Sequence, residues 1–519
     1  MSLAGDNSPS DVHAVVYTVA AGLASPFRCQ GSLPAAAKCA PCKIRYRHMV
    51  NIFVSVLGIA PVVMILLCLR MALRRNLRLL ALVLGLTALH ETALVALPAV
   101  ASAMTDFAPE RGMAAVVDPS ELAVTLFGEM TFVTIFWVTL WVIVKRRGRG
   151  SGGASTPDNS VHHLTALILI VIGIFIQTDN LIHPGGFAAY ASELEGSLVR
   201  STPELILAWV ASVFWFPCIA VAAVIFVKGK HDRYSRLMWL GASVVLFEVV
   251  LTGFANGVRG RLITAVCLVG AVAVFKRRGK ILVYLLLIIA VFLPISTVLP
   301  NGVRALAYQV AAAKGSSMEV LTQLPELFGD EADRFGISAF FTEAMWRVQG
   351  PRNSTILYRL YDTGNAAGGA PYLGALVFPV PRLIWPKKPS VGSSDGTFRG
   401  QAMYLVMALG YGFPETTMGP FLASAEAYWE AGWLGIIASA VATALLWYGI
   451  LNVATRLGDT LSIAVALMFA CSLLVDGVPT ALMPLFSLIA FVWKALLPTL
   501  AVYLMAKWSI TFLRPPRVA

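Results

Sequence analysis

The stretch VNIFVSVLGIAPVVMILLCL, residues 50–69, decides the fold of this chain. It carries no charged side chain over a length that, as a helix, crosses the hydrocarbon core of a bilayer, which takes about 20 apolar residues. Helices are expected because an open sheet would leave backbone groups unpaired in lipid, and the alternation typical of a membrane barrel is absent. Similar apolar windows lie near 79–103, 120–144, 163–183, 203–227, 237–254, 262–275, 281–299, 436–455, 460–475 and 480–506.

The composition agrees with this pattern. Of the 519 residues, 58% are hydrophobic and 13% are charged, whereas soluble domains have about 45–50% apolar and about 25% charged residues. These proportions exclude a soluble enzyme, a disordered protein and a disulfide-stapled secreted domain. The net charge of +12 favours basic cytoplasmic loops over nucleic-acid binding. We therefore predict an all-α polytopic membrane protein with about 11–12 transmembrane helices.

Basic residues mark alternate loops and predict the orientation of the chain. The clusters follow the first, third, fifth and seventh windows, so one orientation puts all four in the cytoplasm. The C-terminus is then cytoplasmic, and the turn 255–261 and the segment 300–435 lie outside. The clusters are Arg70, Arg74, Arg75 and Arg78; Lys145, Arg146, Arg147 and Arg149; Lys228, Lys230, Arg233 and Arg236; and Lys276, Arg277, Arg278 and Lys280.

This orientation divides the chain into four parts. An N-terminal tail, 1–48, precedes a first bundle of about eight helices over 49–299. A large, partly helical periplasmic cap then covers 300–435, and C-terminal helices occupy 436–519. The tail fits the scheme poorly, because it is basic but should lie outside. Its Cys39 and Cys42 form a single C-x-x-C, which is weak as a metal signature.

The predicted cap mixes arginines, carboxylates and aromatic residues. Aromatic faces and carboxylates suit sugars, and guanidinium groups suit phosphate oxygens. The same Trp and Tyr residues are equally typical of an interfacial belt at the headgroup level. No histidine follows His231 in the sequence, so a general base in the cap would have to be a carboxylate.

A second candidate feature is the turn NGVRGR, residues 256–261. It holds Arg259 and Arg261 on the predicted outer side, against the distribution of the other basic clusters. Two guanidinium groups on a short glycine-containing turn could bind a lipid pyrophosphate. The alternatives are contact with lipid headgroups or a salt bridge to Asp179 or Asp476.

Several ionisable residues fall within the apolar windows. Such residues are costly in lipid and often functional. Because His90 and Glu91 are adjacent, they cannot share one helix face, and we favour structural pairing over a proton relay. The sequence contains no nucleotide-binding loop and no H-E-x-x-H motif, so we expect neither a cofactor nor a metal site. The residues in question are His90, Glu91, Glu129, Asp179 and Glu248.

Four segments together resemble the motifs of one family of membrane proteins. FPVPRLIWPKKP, residues 378–389, is similar to a PRFLWPDKP signature, with Lys387 where an acid is common. Arg347, Arg352 and the run from Asn353 resemble an arginine-containing helix. AEAYWEAGWLG, residues 425–435, is similar to the segment that opens the next span, with Ala425 where Gly is common. GVRG, residues 257–260, resembles a G-S-R-G turn. The family that the chain resembles in these segments is that of the Wzy-type O-antigen polymerases, which join oligosaccharide repeat units.

The resemblance implies a metal-independent membrane glycosyltransferase of the GT-C type in the bacterial inner membrane. Its substrates would be undecaprenyl-pyrophosphate-linked glycans, and undecaprenyl pyrophosphate would be released. Membrane lipids and a separate chain-length-regulating co-polymerase are the other implied partners, and nucleic acid is not. The related alternatives are an O-antigen ligase, which often has an outer-loop histidine, and a lipid-linked oligosaccharide flippase, which would more often show repeated halves.

The implied reaction assigns roles to particular residues. Cations must meet the charge that develops on the leaving pyrophosphate, and a base must accept the proton of the acceptor hydroxyl. We predict Glu426 as the base, although an ion pair with a cap arginine is the alternative, and Glu343 and Asp395 as reserves. The predicted substrate-binding residues are Arg259, Arg261, Arg347, Arg352, Arg382, Trp385 and Tyr428.

Overall fold

The computed structural model of the chain describes helices and, between some of them, short turns. No strand occurs in the ranges that it describes. Those ranges are 40–75, 77–104, 119–147, 159–182, 202–229, 233–255, 259–281, 283–285, 309–310, 318–323, 350–364, 422–475 and 492–513, with the single residues 306, 366 and 385.

Twelve helices within these ranges build the bundle. They are α1 (Ala40–Arg74), α2 (Arg78–Glu91), α3 (Leu97–Met104), α4 (Pro119–Arg147), α5 (Asn159–Ile182), α6 (Thr202–Lys228), α7 (Arg233–Ala255), α8 (Arg259–Phe275), α9 (Gly350–Asp362), α10 (Ala423–Ala454), α11 (Gly458–Val475) and α12 (Leu497–Leu513). A π-helical turn, Thr92–Ala96, joins α2 to α3, and a second one, Val492–Leu496, precedes α12.

The transmembrane character of the chain is confirmed at the level of helix length and composition. Five helices of the described ranges are long and apolar enough to cross a membrane: Met49–Arg74, Ser120–Lys145, Ser160–Asp179, Tyr234–Gly253 and Ala423–Ala454. Shorter apolar helices occur in α2, α6, α8 and α11. These helices coincide with apolar windows of the sequence, whereas most of the window 281–299 lies outside the described residues.

The largest difference from the predicted boundaries concerns α10. The apolar window begins near residue 436, but the helix begins at Ala423 and its first two turns are buried. Hydropathy misses these turns because they hold Glu426 and Glu430. Most of the predicted cap, 300–435, lies outside the described residues. Its main described parts are α9 and the start of α10, which pack against the bundle.

One end of the bundle gathers basic side chains from several helix termini. Lys228, at the end of α6, and Lys276, just after α8, both pair with Asp459 at the start of α11, at 2.9 and 3.3 Å. The Arg75 guanidinium, after α1, lies 4.4 Å from the ring centre of Trp141 in the last part of α4. We call this side of the molecule the basic end.

The opposite end holds the start of α10 and the short helix α9. Helices α4 and α10 run in the same direction, since Phe136 packs on Trp447 at 5.0 Å near the basic end, while Ser424 reaches Glu129 towards the other. Because α7 leaves the basic end and α8 returns to it, Ala255 and Arg259 also lie at the opposite end. Ala255, Arg259, α9 and the start of α10, which are described parts of the two regions predicted to lie outside, are thus found at one end of the bundle, and their side of the membrane stays a prediction.

Candidate functional site

The predicted site residues divide into two groups according to what the structure describes. Only Glu426, Trp385 and Tyr428 have described side chains. Trp385 is 41% exposed. Glu343, Arg347, Arg382 and Asp395 lie outside the described residues, while Arg259 and Arg261 on α8 and Arg352 on α9 have a described backbone but no described side chain.

Glu426 and Tyr428 lie in the first turns of α10, where that helix packs between α4 and α9. Both are buried, with 3% and 1% of their surface exposed. We refer to this meeting point of α4, α9 and the first part of α10, residues 423–430, as the α9 junction. The prediction that Glu426 acts as a base and Tyr428 contacts a substrate therefore concerns residues that are enclosed by protein.

The N-terminus of α10 is held by acceptors on other helices. The Leu422 amide donates to the Ser354 hydroxyl oxygen of α9 at 2.8 Å, and the Ser424 amide donates to Glu129 Oε2 of α4 at 3.2 Å. The first amides of a helix have no partner within the helix, so a buried helix start needs acceptors from elsewhere. A carboxylate also complements the positive end of the helix dipole. These two bonds fix the position of the turn that carries Glu426.

An aromatic cluster fills the space between α9 and α10. Tyr358 stacks on Tyr428 with ring centres 4.1 Å apart, and Tyr361 and Trp433 meet the Tyr428 ring edge-on at 5.0 and 5.7 Å. The Tyr428 hydroxyl donates to Asp362 Oδ1 at 3.0 Å. Burial raises the pKa of the Tyr358 hydroxyl well above its ordinary value, so this group stays neutral. The aromatic residues act here as packing between helices.

Helix α10 is interrupted within the predicted motif. Ala431 and Gly432 leave helical geometry, and Gly432 has φ +60° and ψ −144°, a conformation that side chains other than glycine rarely adopt. A Cβ atom on Gly432 would lie 2.8 Å from the Tyr361 hydroxyl oxygen. Glycine is therefore needed at this position both for the backbone angle and for the approach of α9. The break separates a short buried segment, 423–430, from the long apolar part of α10.

Helix α9 docks on α4 through one ion pair and one close packing contact. Arg359 donates to both carboxylate oxygens of Glu121, with Nε 2.8 Å from Oε1. At Gly128, a Cβ atom would lie 1.8 Å from the Tyr358 hydroxyl oxygen. The absence of a side chain at residue 128 thus allows α9 to sit directly on the backbone of α4.

Comparison with protein-family models, curated proteins and solved structures found no match.

The α9 junction brings together two of the segments that resemble the polymerase motifs. Helix α9, which contains Arg352 and the run from Asn353, is distant in sequence from the segment 425–435 of α10, but the two helices pack against each other. Glu426 makes polar contacts within the protein, and both its predicted role as base and the alternative ion pair remain predictions. No group of three or more potential metal-ligating residues occurs in the described ranges.

Three residues at or next to the junction have roles that the sequence did not predict. Glu129 was singled out as an ionisable residue in a span, but its bond to Ser424 crosses 295 positions of sequence and no local pattern indicates it. Ser354 carries no signal of its own, because a lone serine is common in any helix. The requirement for glycine at residue 432 could have been predicted, since a glycine in an otherwise helical pattern often marks a packing or backbone requirement.

Proposed function

We propose that this protein is a polymerase of lipid-linked oligosaccharide repeat units in the bacterial inner membrane. It joins a growing glycan, carried on undecaprenyl pyrophosphate, to the sugar of another lipid-linked repeat unit, and one undecaprenyl pyrophosphate is released. The observation that carries the proposal is the packing of α9 on the start of α10, because these helices hold or adjoin two of the segments that resemble the polymerase motifs.

The proposed orientation follows from the distribution of charge. Positively charged residues gather at the basic end, which is expected of the cytoplasmic side. The α9 junction and Arg259 at the start of α8 would then face the periplasm, where lipid-linked repeat units are joined in the family that the chain resembles. Under this assignment both motif-bearing regions meet the lipid carrier at the same membrane surface.

The chemical step requires cations at the leaving pyrophosphate and a base at the acceptor hydroxyl. Arg259 and Arg261 begin α8 at the same end of the bundle as α9, and we assign them to the pyrophosphate. We propose that Glu426 accepts the proton of the acceptor hydroxyl, because Ser354 and Glu129 hold the helical turn that carries it. A fixed first turn is what such a base needs, since proton transfer depends on hydrogen-bond geometry.

The experiment that tests this function is deletion of the gene followed by analysis of the lipid-linked glycans that accumulate. We expect carrier with a single repeat unit on the periplasmic side, and polymer restored by the wild-type gene. Build-up of full-length glycan on the carrier would instead indicate a ligase. Single-repeat carrier confined to the cytoplasmic leaflet would indicate a flippase, and either result would overturn the proposal.

A further inference from the structure

Three cations at the basic end have no acidic partner within the described ranges. Arg75 directly follows α1, Arg78 begins α2 and Lys145 lies in the last turn of α4, and all three side chains are exposed. The ion pairs of the described residues involve other cations, and Asp459 at this end is shared by two lysines of α6 and α8. Like charges repel each other, so an anion from outside the chain would be favoured beside these three residues.

An aromatic contact between α1 and α4 holds the guanidinium group of Arg75 in place. Its central carbon lies 4.4 Å from the ring centre of Trp141. One turn earlier on α4, Trp137 Nε1 donates to the Met64 carbonyl oxygen of α1 at 3.0 Å, so both tryptophans of α4 meet α1. A guanidinium group stacked on an aromatic face directs its N–H groups outward along its own plane, where a phosphate can accept two of them.

Lys145 belongs to the same place on α4. It follows Trp141 by four positions, and side chains with this spacing are neighbours on a helix surface. Val138, Val142 and Lys145 are all exposed at positions i, i+4 and i+7, so they form one ridge on the outer side of α4. The ammonium group of Lys145 thus adjoins the ring on which Arg75 is stacked.

The two cations border exposed apolar surface, which distinguishes between possible anions. On α4 the ridge that ends at Lys145 continues through Val142 and Val138, and on α1 Leu73 is exposed two residues before Arg75. Both helices are long and apolar enough to cross a membrane. A soluble anion such as inorganic phosphate gains nothing from apolar surface. In a phospholipid, by contrast, the phosphate lies directly above acyl chains, and basic residues between membrane helices are suited to such headgroups.

We propose that Arg75 and Lys145, placed around Trp141, bind the phosphate of an anionic phospholipid whose acyl chains lie along the exposed apolar surface of α1 and α4. The negative charge of this lipid complements cations that lack a partner in the described ranges, whereas a zwitterionic lipid brings its own cation to the site. An excess of basic residues at the cytoplasmic side requires only their number, but this site has a defined geometry. It stands independently of the polymerase activity, because it rests on the contacts between α1 and α4.

The test is native mass spectrometry of the full chain in detergent, with added phosphatidylglycerol or phosphatidylcholine. Wild type should bind the first phosphatidylglycerol more tightly than phosphatidylcholine. Arg75→Gln and Lys145→Gln should each weaken this binding about fivefold, the effect of one cation close to a membrane surface. The matched control is Arg236→Gln, which removes the same charge from an exposed position in the first turn of α7. Because α7 packs on α5, α6 and α8, this control should keep the wild-type affinity.

Two results of the binding experiment would overturn the proposal. Equal losses in Arg75→Gln and Arg236→Gln would show that only the total charge matters, and equal affinity of wild type for the two lipids would show that charge does not select the lipid. Since the substituted side chains are exposed, all variants should elute from gel filtration as wild type does. If Arg75→Gln does not, the comparison of Lys145→Gln with Arg236→Gln decides the question.

Thermal unfolding in detergent separates a lipid from a free anion. Phosphatidylglycerol should raise the unfolding temperature of wild type and of Arg236→Gln, but not that of the double variant Arg75→Gln/Lys145→Gln. Inorganic phosphate should shift wild type and the double variant equally. A stabilisation by inorganic phosphate that the double variant loses would assign the two cations to a soluble anion and contradict the lipid site.

Discussion

The two ends of the bundle use charged residues in different ways. At the basic end, Lys228 and Lys276 share Asp459, whose side chain is 65% exposed. At the α9 junction, Glu129 is fully buried and its Oε2 accepts the Ser424 amide in the first turn of α10. Exposed ion pairs contribute about 0–1 kcal/mol, whereas an unsatisfied buried donor costs about 1–3 kcal/mol. The charged groups at the basic end thus contribute little to stability, whereas the buried carboxylate at the junction fixes the position of a helix start.

The largest expected effect is on polymer length, and it distinguishes an arginine at one end of the bundle from an arginine at the other. Arg259→Ala should abolish glycans longer than one repeat unit, because the leaving pyrophosphate loses a cation. The matched control Arg70→Ala removes an exposed guanidinium near the basic end and should leave the length distribution unchanged. Gel analysis of glycans from cells carrying each variant measures both effects. Glycans of normal length in cells carrying Arg259→Ala would contradict the proposal that Arg259 binds the pyrophosphate.

The second prediction concerns the packing of α9 on α4. Gly128→Ala puts a Cβ atom 1.8 Å from the buried Tyr358 hydroxyl oxygen, so α9 must shift, at a cost of about 1–3 kcal/mol. We expect a lower unfolding temperature in detergent together with reduced polymer. The control is Gly449→Ala, also within a helix but with no atom within 4 Å of the added carbon. Equal stability of the two variants would show that the close approach has no energetic role.

A smaller effect is expected from the acceptor on α9. Ser354→Ala leaves the buried Leu422 amide without its 2.8 Å bond and should cost about 1–2 kcal/mol. As a control, Ser243→Ala removes a hydroxyl that bonds only back to Trp239 of its own helix and should cost less. Thermal unfolding compares the two. If Ser243→Ala is the more harmful change, the importance of holding α10 across helices is refuted.

The smallest effect belongs to the basic end. Lys276→Met keeps the aliphatic stem but removes one of the two lysines on Asp459. Because Lys228 remains and the pair is exposed, the loss should be about 0–1 kcal/mol and should shrink further in high salt. Unfolding midpoints at low and high ionic strength measure it. A loss as large as that of Gly128→Ala would erase the difference between the two ends.

Apolar windows predicted the helices because membrane spans are encoded locally. Residues 50–69 and 120–144, for example, fall within α1 and α4. The apolar windows did not predict the start of α10, because Glu426 and Glu430 lower the hydropathy of a segment that tertiary contacts bury. The Ser424–Glu129 bond could not be predicted for a different reason: no short-range sequence pattern specifies which distant carboxylate accepts from a helix start. The family resemblance indicated residues 425–435, but the packing of this segment on α9 is seen only in the structure.

We propose that this chain links lipid-carried repeat units at the end of the bundle where α9 and α10 meet. The most direct test of this proposal is reconstitution of the full chain in proteoliposomes with single-repeat carrier isolated from the deletion strain. We predict a ladder of longer glycans with release of undecaprenyl pyrophosphate, and a slower ladder from Glu426→Gln of unchanged stability. Intact carrier after incubation with folded wild-type protein would contradict the claim.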